Sequence, residues 1–81
     1  MHELGIAVEI AELAAGEAAK ARAVRVSAVH VKVGALSGVV RESLEFVWPS
    51  VSAWRLEIEE TPGQELELTA LEVEDDDTPA G

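Results

Sequence analysis

The sequence contains no cysteine and no tyrosine, and only 4% of its 81 residues are aromatic. The absence of cysteine excludes disulfides, thiolate metal sites and a cysteine nucleophile, and it leaves the redox compartment undetermined. Phe46, Trp48 and Trp54 are the only bulky aromatic side chains that a core could use. A chain of this length forms at most one small domain, whose core must be built largely from alanine, valine, leucine and isoleucine.

Basic residues are also scarce: six lysines and arginines face 16 acidic residues, which gives a formal net charge of −10 at pH 7. Nucleic-acid binding is not expected, because phosphate contacts need lysine and arginine to displace counterions. Anionic membranes are disfavoured for the same reason, and no apolar run approaches the roughly 20 residues that span a bilayer. We therefore expect a soluble cytoplasmic protein whose acidic field favours cations and basic partner surfaces.

Hydrophobic periodicity predicts five elements along the chain. They are helices over 3–22 and 41–53, and strands over 24–33, 54–59 and 65–69. Pro49 predicts that the second helix ends before it or kinks there, since proline removes a backbone hydrogen bond. The turn residues of 61–64 predict a hairpin between the last two strands, and a slip in the apolar alternation at Ala70 and Leu71 predicts a bulge.

The order helix, strand, helix, strand, strand predicts an α+β fold. Two helices are expected on one face of a small mixed three-stranded sheet, because crossover helices normally pack against the sheet they connect. The first strand should place Val29, Val31 and Val33 on one side, opposite Val26 and His30. We expect a single domain over 1–74 and a disordered acidic tail over 75–81. An exposed sheet edge makes a homodimer plausible.

The amino-terminal residues Met1 and His2 are the strongest candidate for a chemical site. A terminal amine, a deprotonated backbone amide and an imidazole nitrogen can close small chelate rings around one ion. Such a tetragonal nitrogen environment suits Ni(II) or Cu(II) better than Mg or Ca. The alternative is that His2 is an incidental surface residue.

Other polar residues are expected to have structural roles. His30 is predicted to be a half-buried strand histidine, and Ser37 a loop or helix-capping residue. The acidic run from Glu72 to Asp77 lacks the glycine pattern of an EF-hand and is expected to be solvated. No acid/base pair or nucleophile constellation can be assembled, so we predict no catalytic residues, no nucleotide site and no enzyme activity.

Five segments, in the same order as in that family, resemble the HypA/HybF family of hydrogenase maturation factors. They are Met1-His2-Glu3-Leu4-Gly5-Ile6-Ala7, Val33 to Val40, Glu42 to Phe46, Leu56 to Glu60 and Leu71 to Glu74. Members of that family are small nickel metallochaperones that hand Ni(II) to the [NiFe]-hydrogenase large subunit. They work with a GTPase partner, HypB, and in some organisms also serve urease.

The resemblance implies a nickel site made of the Met1 amine, the His2 imidazole and backbone nitrogen, and the Glu3 backbone nitrogen. These four groups could form a planar set, and binding would release protons, so affinity should fall as pH drops. The family inserts a zinc domain with two Cys-x-x-Cys pairs between its second and third strands. Here residues 60–64 occupy that place, so the resemblance implies a nickel domain without structural zinc.

Two functional hypotheses follow. In the first, the chain is a metallochaperone for [NiFe]-hydrogenase maturation that binds Ni(II) at its amino terminus and delivers it through contacts with HypB and the large subunit. In the second, it is a metal-independent interaction domain that docks on the GTPase or hydrogenase subunit after loss of the zinc domain.

Overall fold

The computed structural model describes residues 2–74, so Met1 and the tail predicted over 75–81 lie outside the described residues. The elements are helix α1 (Glu3–Lys20), strand β1 (Arg25–Gly34), helix α2 (Arg41–Val51), strand β2 (Arg55–Thr61) and strand β3 (Leu66–Glu74). The predicted α+β class and element order are confirmed. Within this part of the chain, no helix is both long and apolar enough to cross a membrane.

Helix α1 forms because small apolar residues recur at helical spacing. Ala7, Ile10, Ala14 and Ala18 are all buried along one stripe. The helix ends at Lys20 rather than at the predicted Arg22, which adopts a left-handed backbone with φ of 56°. This conformation closes the last turn, since the N–H groups of the two residues after Ala21 donate to helix carbonyls.

Strand β1 is the centre of the sheet, which has the order β2-β1-β3. It pairs in parallel with β2 and antiparallel with β3. The predicted hairpin is therefore wrong, because β2 and β3 each pair with β1 and not with each other. The valine-rich β1 suits a position buried between two neighbours, whereas the glutamate-rich β2 and β3 suit the two edges.

The connection from β2 to β3 crosses the end of β1. Gly34 N donates to Glu65 O at 2.7 Å, and Leu36 N donates to Gly63 O at 2.8 Å. Ala35 N donates to Thr61 O, also at 2.8 Å. Three backbone hydrogen bonds thus hold this short connection against the central strand.

Two bulges lie in the antiparallel pair. The register shifts by one residue at Ser27 in β1 and shifts back at Thr69 in β3. The Ser27 hydroxyl donates to Glu72 O at 3.1 Å, and the Thr69 hydroxyl donates to His30 O at 3.2 Å. The bulge predicted next to Ala70 is confirmed. The bulge at Ser27 was not predicted, and it explains why the expected strand faces were wrong at Val26, which joins the core with Val29.

Both helices pack on one face of the sheet, as predicted. The buried core comprises Ala7, Ile10, Ala14, Ala18, Val26, Val29, Val31, Val33, Leu44 and Trp48. The Trp48 indole N–H is satisfied inside this core, since it donates to Trp54 O at 2.6 Å.

Helix α2 continues through Pro49 to Val51. Of the two outcomes predicted at Pro49, the end before it is wrong, and the kink stays a prediction. The proline lies in the last turn, where only two further residues follow it. Because proline has no backbone N–H, one hydrogen bond is absent from the last turn of the helix. Ser52 N still donates to Trp48 O at 3.0 Å. Burial of Trp48 on the sheet side then holds the final turn in place.

The sheet face opposite the helices is charged. Arg55 donates to Glu57 at 2.6 Å and to Glu72 at 2.9 Å, and His30 Nε2 lies 2.7 Å from the same Glu72 oxygen. Such exposed pairs contribute little stability individually. They do keep this face polar although no helix covers it.

Gly34 should not tolerate a side chain. A β-carbon at this position would lie 2.7 Å from Glu65 N and closer still to the Gly63 carbonyl. We expect Gly34→Ala to lower the free energy of unfolding by about 1–3 kcal/mol, because the backbone of the connection must move.

The matched control is Gly16→Ala, because a β-carbon there meets nothing within 4 Å. This change in α1 should raise the free energy of unfolding by about 0.5–1 kcal/mol. Urea unfolding followed by tryptophan fluorescence measures both variants. Equal stability of Gly34→Ala and the parent chain would contradict the close approach of the connection to β1.

Candidate functional site

His2 lies at the start of α1 with an exposed side chain. His2 occupies the N-cap position of α1, with φ of −109° and ψ of −2°. Its side chain accepts no hydrogen bond from the N–H groups of the helix. Its carbonyl accepts the first helical hydrogen bond, from Ile6 N at 2.9 Å. The imidazole is therefore accessible to solvent. Met1, the other predicted ligand at this end, lies outside the described residues.

The main-chain nitrogens at this end are not needed by the helix. The first N–H groups of an α-helix have no partner in its own hydrogen-bond ladder. The first helical hydrogen bond is accepted by the His2 carbonyl. The backbone N–H groups of His2 and Glu3 therefore have no carbonyl acceptor within α1. Ligation through these two nitrogens would therefore leave the hydrogen-bond ladder of α1 intact.

Glu3 is buried, with 7% of its surface exposed. Within residues 2–74, it is the only charged residue that is buried. Its Oε2 accepts a hydrogen bond from Val40 N at 3.2 Å. Val40 is the residue that caps α2, so one carboxylate connects the starts of both helices. A negative charge is favourable there, because the positive ends of the two helix dipoles lie close to it.

These hydrogen bonds lower the pKa of Glu3. The largest cause is the N–H of Val40, and the N–H groups of Glu3 itself and of His2 act in the same direction. Burial opposes the shift, since it disfavours the charged form. The carboxylate is therefore ionised at neutral pH and lies beside the main-chain nitrogens of the candidate site.

The loop before α2 places Val40 against Glu3. Gly38 has φ of 85°, in the left-handed region that favours glycine. The Ser37 hydroxyl accepts from Val39 N at 3.2 Å, so the predicted loop role of Ser37 is confirmed. The residue that caps α2 is Val40, and its N–H donates to the Glu3 carboxylate of the first helix.

The family resemblance implies a role only for the backbone nitrogen of Glu3, and the role of its side chain was not predicted. A signal was present, because Glu3 falls on the same helical stripe as the buried Ala7 and Ile10. A carboxylate at a core position indicates a buried acceptor. Its partner lies 37 residues away in the sequence, and no local pattern identifies it.

The second titratable cluster is on the charged sheet face. His30 is half-buried, as predicted, and its contact with Glu72 lowers the pKa of that carboxyl, with Arg55 adding to the effect. The Arg55 guanidinium forms ion pairs with the carboxylates of Glu57 and Glu72. Within residues 2–74, no three side chains of histidine, aspartate or glutamate are placed to hold a metal ion.

The first part of the acidic run, Glu72 and Glu74, is exposed to solvent, as predicted. Glu72 and Glu74 belong to β3, and Glu74 accepts two hydrogen bonds from Arg25, at 2.7 and 3.0 Å. Pairing with the central strand and its arginine orders these two residues. Asp75 to Asp77 lie outside the described residues.

A family model described as "Hydrogenase/urease nickel incorporation, metallochaperone, hypA" matches residues 1–74. This chain belongs to the HypA family. The match includes both helices, the sheet and the amino-terminal residues. No solved structure gives a significant match.

Curated relatives of the HypA family are named hydrogenase maturation factor HypA. That of a Roseiflexus species is 39% identical over 116 aligned positions, which cover 94% of each chain. That of Chloroflexus aurantiacus is 52% identical over 57% of this chain and 40% of its own length. That of Chloroflexus aggregans is 40% identical over 90% of this chain and 59% of its own length.

The alignments cover different shares of the relatives' own lengths. The chain spans between 40 and 59% of the two Chloroflexus relatives. The 116 positions aligned with the Roseiflexus protein exceed the 81 residues of this chain, so at least 35 of them face a gap here. The Roseiflexus protein thus contains, within the aligned span, at least 35 residues in total that have no counterpart in this chain.

Loss of the Glu3 charge should change the pH dependence of stability. A carboxyl whose pKa is lowered on folding stabilises the folded state above its ordinary pKa of 4.5, and this contribution is lost as pH falls through the lower folded value. We expect Glu3→Gln to be less stable than the parent chain at neutral pH and to lose less stability on acidification. The glutamine can still accept from Val40 N, but neutral hydrogen bonds are about half as strong as charge-assisted ones.

The control is Glu9→Gln, an exposed carboxylate on the same helix. It should leave both the stability at neutral pH and the acid profile close to those of the parent chain. Urea unfolding at a series of pH values gives both quantities. Identical acid profiles for Glu3→Gln and the parent chain would show that the Glu3 carboxylate does not carry this contribution.

Proposed function

We propose that this chain is a nickel metallochaperone domain that binds Ni(II) through its amino-terminal residues. The ligands are the Met1 amine, the His2 imidazole and backbone nitrogen, and the Glu3 backbone nitrogen. The observation that carries the proposal is an exposed His2 at the start of a helix in a chain that matches a nickel-incorporation family from residue 1.

The chemistry of the donors favours nickel. Amine, amide and imidazole nitrogens suit the square-planar or tetragonal preference of Ni(II), and they form five- and six-membered chelate rings with the ion. The ionised Glu3 carboxylate is not a ligand in this proposal. It fixes the start of α1 through Val40, and its negative charge favours a cation nearby.

Delivery is the second part of the proposal. We propose that the cargo goes to the [NiFe]-hydrogenase large subunit with the help of the maturation GTPase HypB, in the cytoplasm. The relatives' name, hydrogenase maturation factor, supports this role. The chain itself catalyses no reaction in this scheme, since it only carries the metal and contacts other proteins.

We also propose that the chain works without structural zinc. It has no cysteine to supply the thiolates of a family zinc domain. The gap of at least 35 positions against the Roseiflexus relative supports the loss of such a segment. The three hydrogen bonds that hold the connection between β2 and β3 against β1 give the domain a compact end at the place where the family inserts that segment.

The alternative is a metal-independent domain that docks on the GTPase or hydrogenase subunit. Exposed apolar side chains on the helices favour it: Leu4 is 54% exposed and Phe46 is 84% exposed. Such residues suit a protein contact. A metallochaperone must also dock, so metal binding is the property that separates the two functions.

A calorimetric Ni(II) titration at neutral pH tests the proposal, using the chain with a free amino terminus. We expect one-to-one binding in the parent chain and at least a hundredfold weaker binding in His2→Ala and in the amino-acetylated chain. Ligation needs a deprotonated amine and a neutral imidazole, so affinity should also fall as pH is lowered.

His30→Ala is the matched control, because it removes the other histidine of the chain, which lies on the charged sheet face. It should retain full nickel affinity. Binding of equal strength in His2→Ala and the parent chain would refute the amino-terminal site. Absence of binding in every variant would favour the metal-independent docking domain.

A further inference from the structure

Helix α1 and strand β3 enclose a groove on the helix side of the sheet. One wall is formed by α1, and the other by residues 67–71 and 73 of β3. The α1 side chains in the lining are Leu13, Glu17, Ala18 and Ala21. Except for two glutamates and one threonine, the lining is apolar. Leu13 lies roughly 16 Å along α1 from His2, so the groove is separate from the candidate nickel site.

The β3 wall of this groove has an unpaired backbone edge. Strand β3 is the last strand in the order β2-β1-β3 and pairs with β1 on one side only. Glu72 O accepts from the Ser27 hydroxyl and Glu74 O accepts from Val24 N, so both carbonyls point towards β1. Backbone groups of successive strand residues point to alternate sides. Val73, between these two residues, therefore directs its N–H and C=O to the free edge.

Apolar side chains are exposed along the same edge. Leu66 and Val73 of β3 are 40% and 41% exposed, and Leu13 across the groove is 60% exposed. On the opposite edge strand, the apolar residues Leu56 and Ile58 are half-buried. Helix α1 thus leaves part of the apolar face of β3 uncovered. A long strand edge with exposed apolar residues is a template for pairing with another chain.

A groove with one strand wall and one helix wall fits an extended segment. A strand that adds to a sheet edge gains main-chain hydrogen bonds, and its alternate side chains contact one face of the sheet. The main chain of such a segment would lie about 4.8 Å from β3. Its side chains on the helix side would contact Leu13 and Ala21. A helical ligand would leave the backbone edge of β3 unpaired.

The charges of β3 indicate the chemistry of that segment. The strand contains three glutamates and no lysine or arginine. Glu72 and Glu74 form ion pairs with residues of the other strands. Glu67 is exposed and, within residues 2–74, takes part in no ion pair, although Lys32 is opposite it in the register. A lysine or arginine on a strand next to β3 would come within reach of Glu67.

The same charges disfavour two other occupants of the edge. A second copy that paired its β3 with this one would place glutamates on neighbouring strands, between two molecules that each carry a net charge of −10. An anionic lipid surface would be repelled as well. A basic segment of a different protein has the complementary charge.

We propose that the edge of β3 binds an extended basic segment of a partner protein as a fourth strand of the sheet. Apolar residues at alternate positions of that segment contact Leu13, Ala21 and Val73 in the groove. The lysine or arginine residues between them lie on the charged sheet face, where one pairs with Glu67. This surface goes beyond the nickel function proposed above and does not depend on it.

The test uses a short fluorescein-labelled peptide in which valine and lysine alternate. Anisotropy titrations measure its affinity for the full chain. We expect Leu13→Ser to weaken binding about tenfold, because it removes the largest apolar contact on the helix wall. Glu67→Gln should weaken binding several-fold and reduce its dependence on salt.

Main-chain pairing has a readout of its own. The same peptide methylated at every backbone nitrogen keeps its side chains but has no N–H donors, so its binding should be weaker by about tenfold or more. Amide hydrogen exchange, measured by NMR, should slow at Val73 when the unmodified peptide binds, because its N–H becomes hydrogen-bonded. Unchanged exchange at Val73 with saturating peptide, or full binding of the methylated peptide, would overturn the proposal.

Leu36→Ser and Glu59→Gln are the matched controls. Leu36 is 67% exposed and lies in the loop after β1, outside the groove. Glu59 is an exposed carboxylate on the opposite edge strand and, within residues 2–74, forms no ion pair. Both changes should leave affinity unchanged.

Three other outcomes would contradict the proposal. Equal losses in the control and groove variants would overturn it, and so would equal binding of a peptide with glutamate in place of lysine. A dimer in sedimentation runs that Leu13→Ser dissolves would assign the edge to a second copy and overturn it too.

The His2→Ala variant separates this inference from the proposed function. It should bind the peptide like the parent chain, because the groove lies along the other half of α1. If nickel binding depends on His2 and the peptide ignores Leu13 and Glu67, the strand-docking proposal fails alone. If the peptide uses the β3 edge and nickel binding is unchanged in His2→Ala, the amino-terminal nickel site fails alone.

Discussion

The hydrogen bond from Val40 N to the buried carboxylate of Glu3 connects the two helices at the end of the domain where the candidate site lies. A charge is costly to bury unless hydrogen bonds satisfy it, so the contact requires the loop before α2 and the first turn of α1 to keep a fixed relation. That relation places His2 just outside the core, with its side chain exposed. The same residue that anchors the helix therefore determines where the main-chain nitrogens of the site are presented.

The sheet packs against the buried faces of both helices. Strand β1 carries Val29, Val31 and Val33 beneath the helices, and the connection between β2 and β3 is bound across its end. The two bulges shift the strand register and then restore it, so the apolar residues of β3 still face the helices after the irregular stretch. The uncovered face is kept polar by the ion pairs of Arg55.

Much of the fold could be predicted from the sequence because its signals are local. The alanine stripe of α1 and the valine-rich β1 specify their own conformations, and the element order limits the packing. The pairing of β2 with β1 is a non-local choice, and turn residues between adjacent strands indicated a hairpin instead. The end of α2 was misjudged because the cost of Pro49 depends on its place in the last turn. At the site, the nitrogen ligands of the first three residues stay a prediction, and the role of the Glu3 side chain depends on an N–H distant in sequence.

We propose that the amino-terminal nitrogens, beside the buried Glu3, hold Ni(II) in a planar set. X-ray absorption spectroscopy at the nickel K-edge tests this most directly, using the chain loaded with one equivalent of metal. We expect a four-coordinate planar spectrum with nitrogen donors and imidazole scattering that disappears in His2→Ala. A six-coordinate spectrum without imidazole scattering, unchanged in His2→Ala, would contradict it.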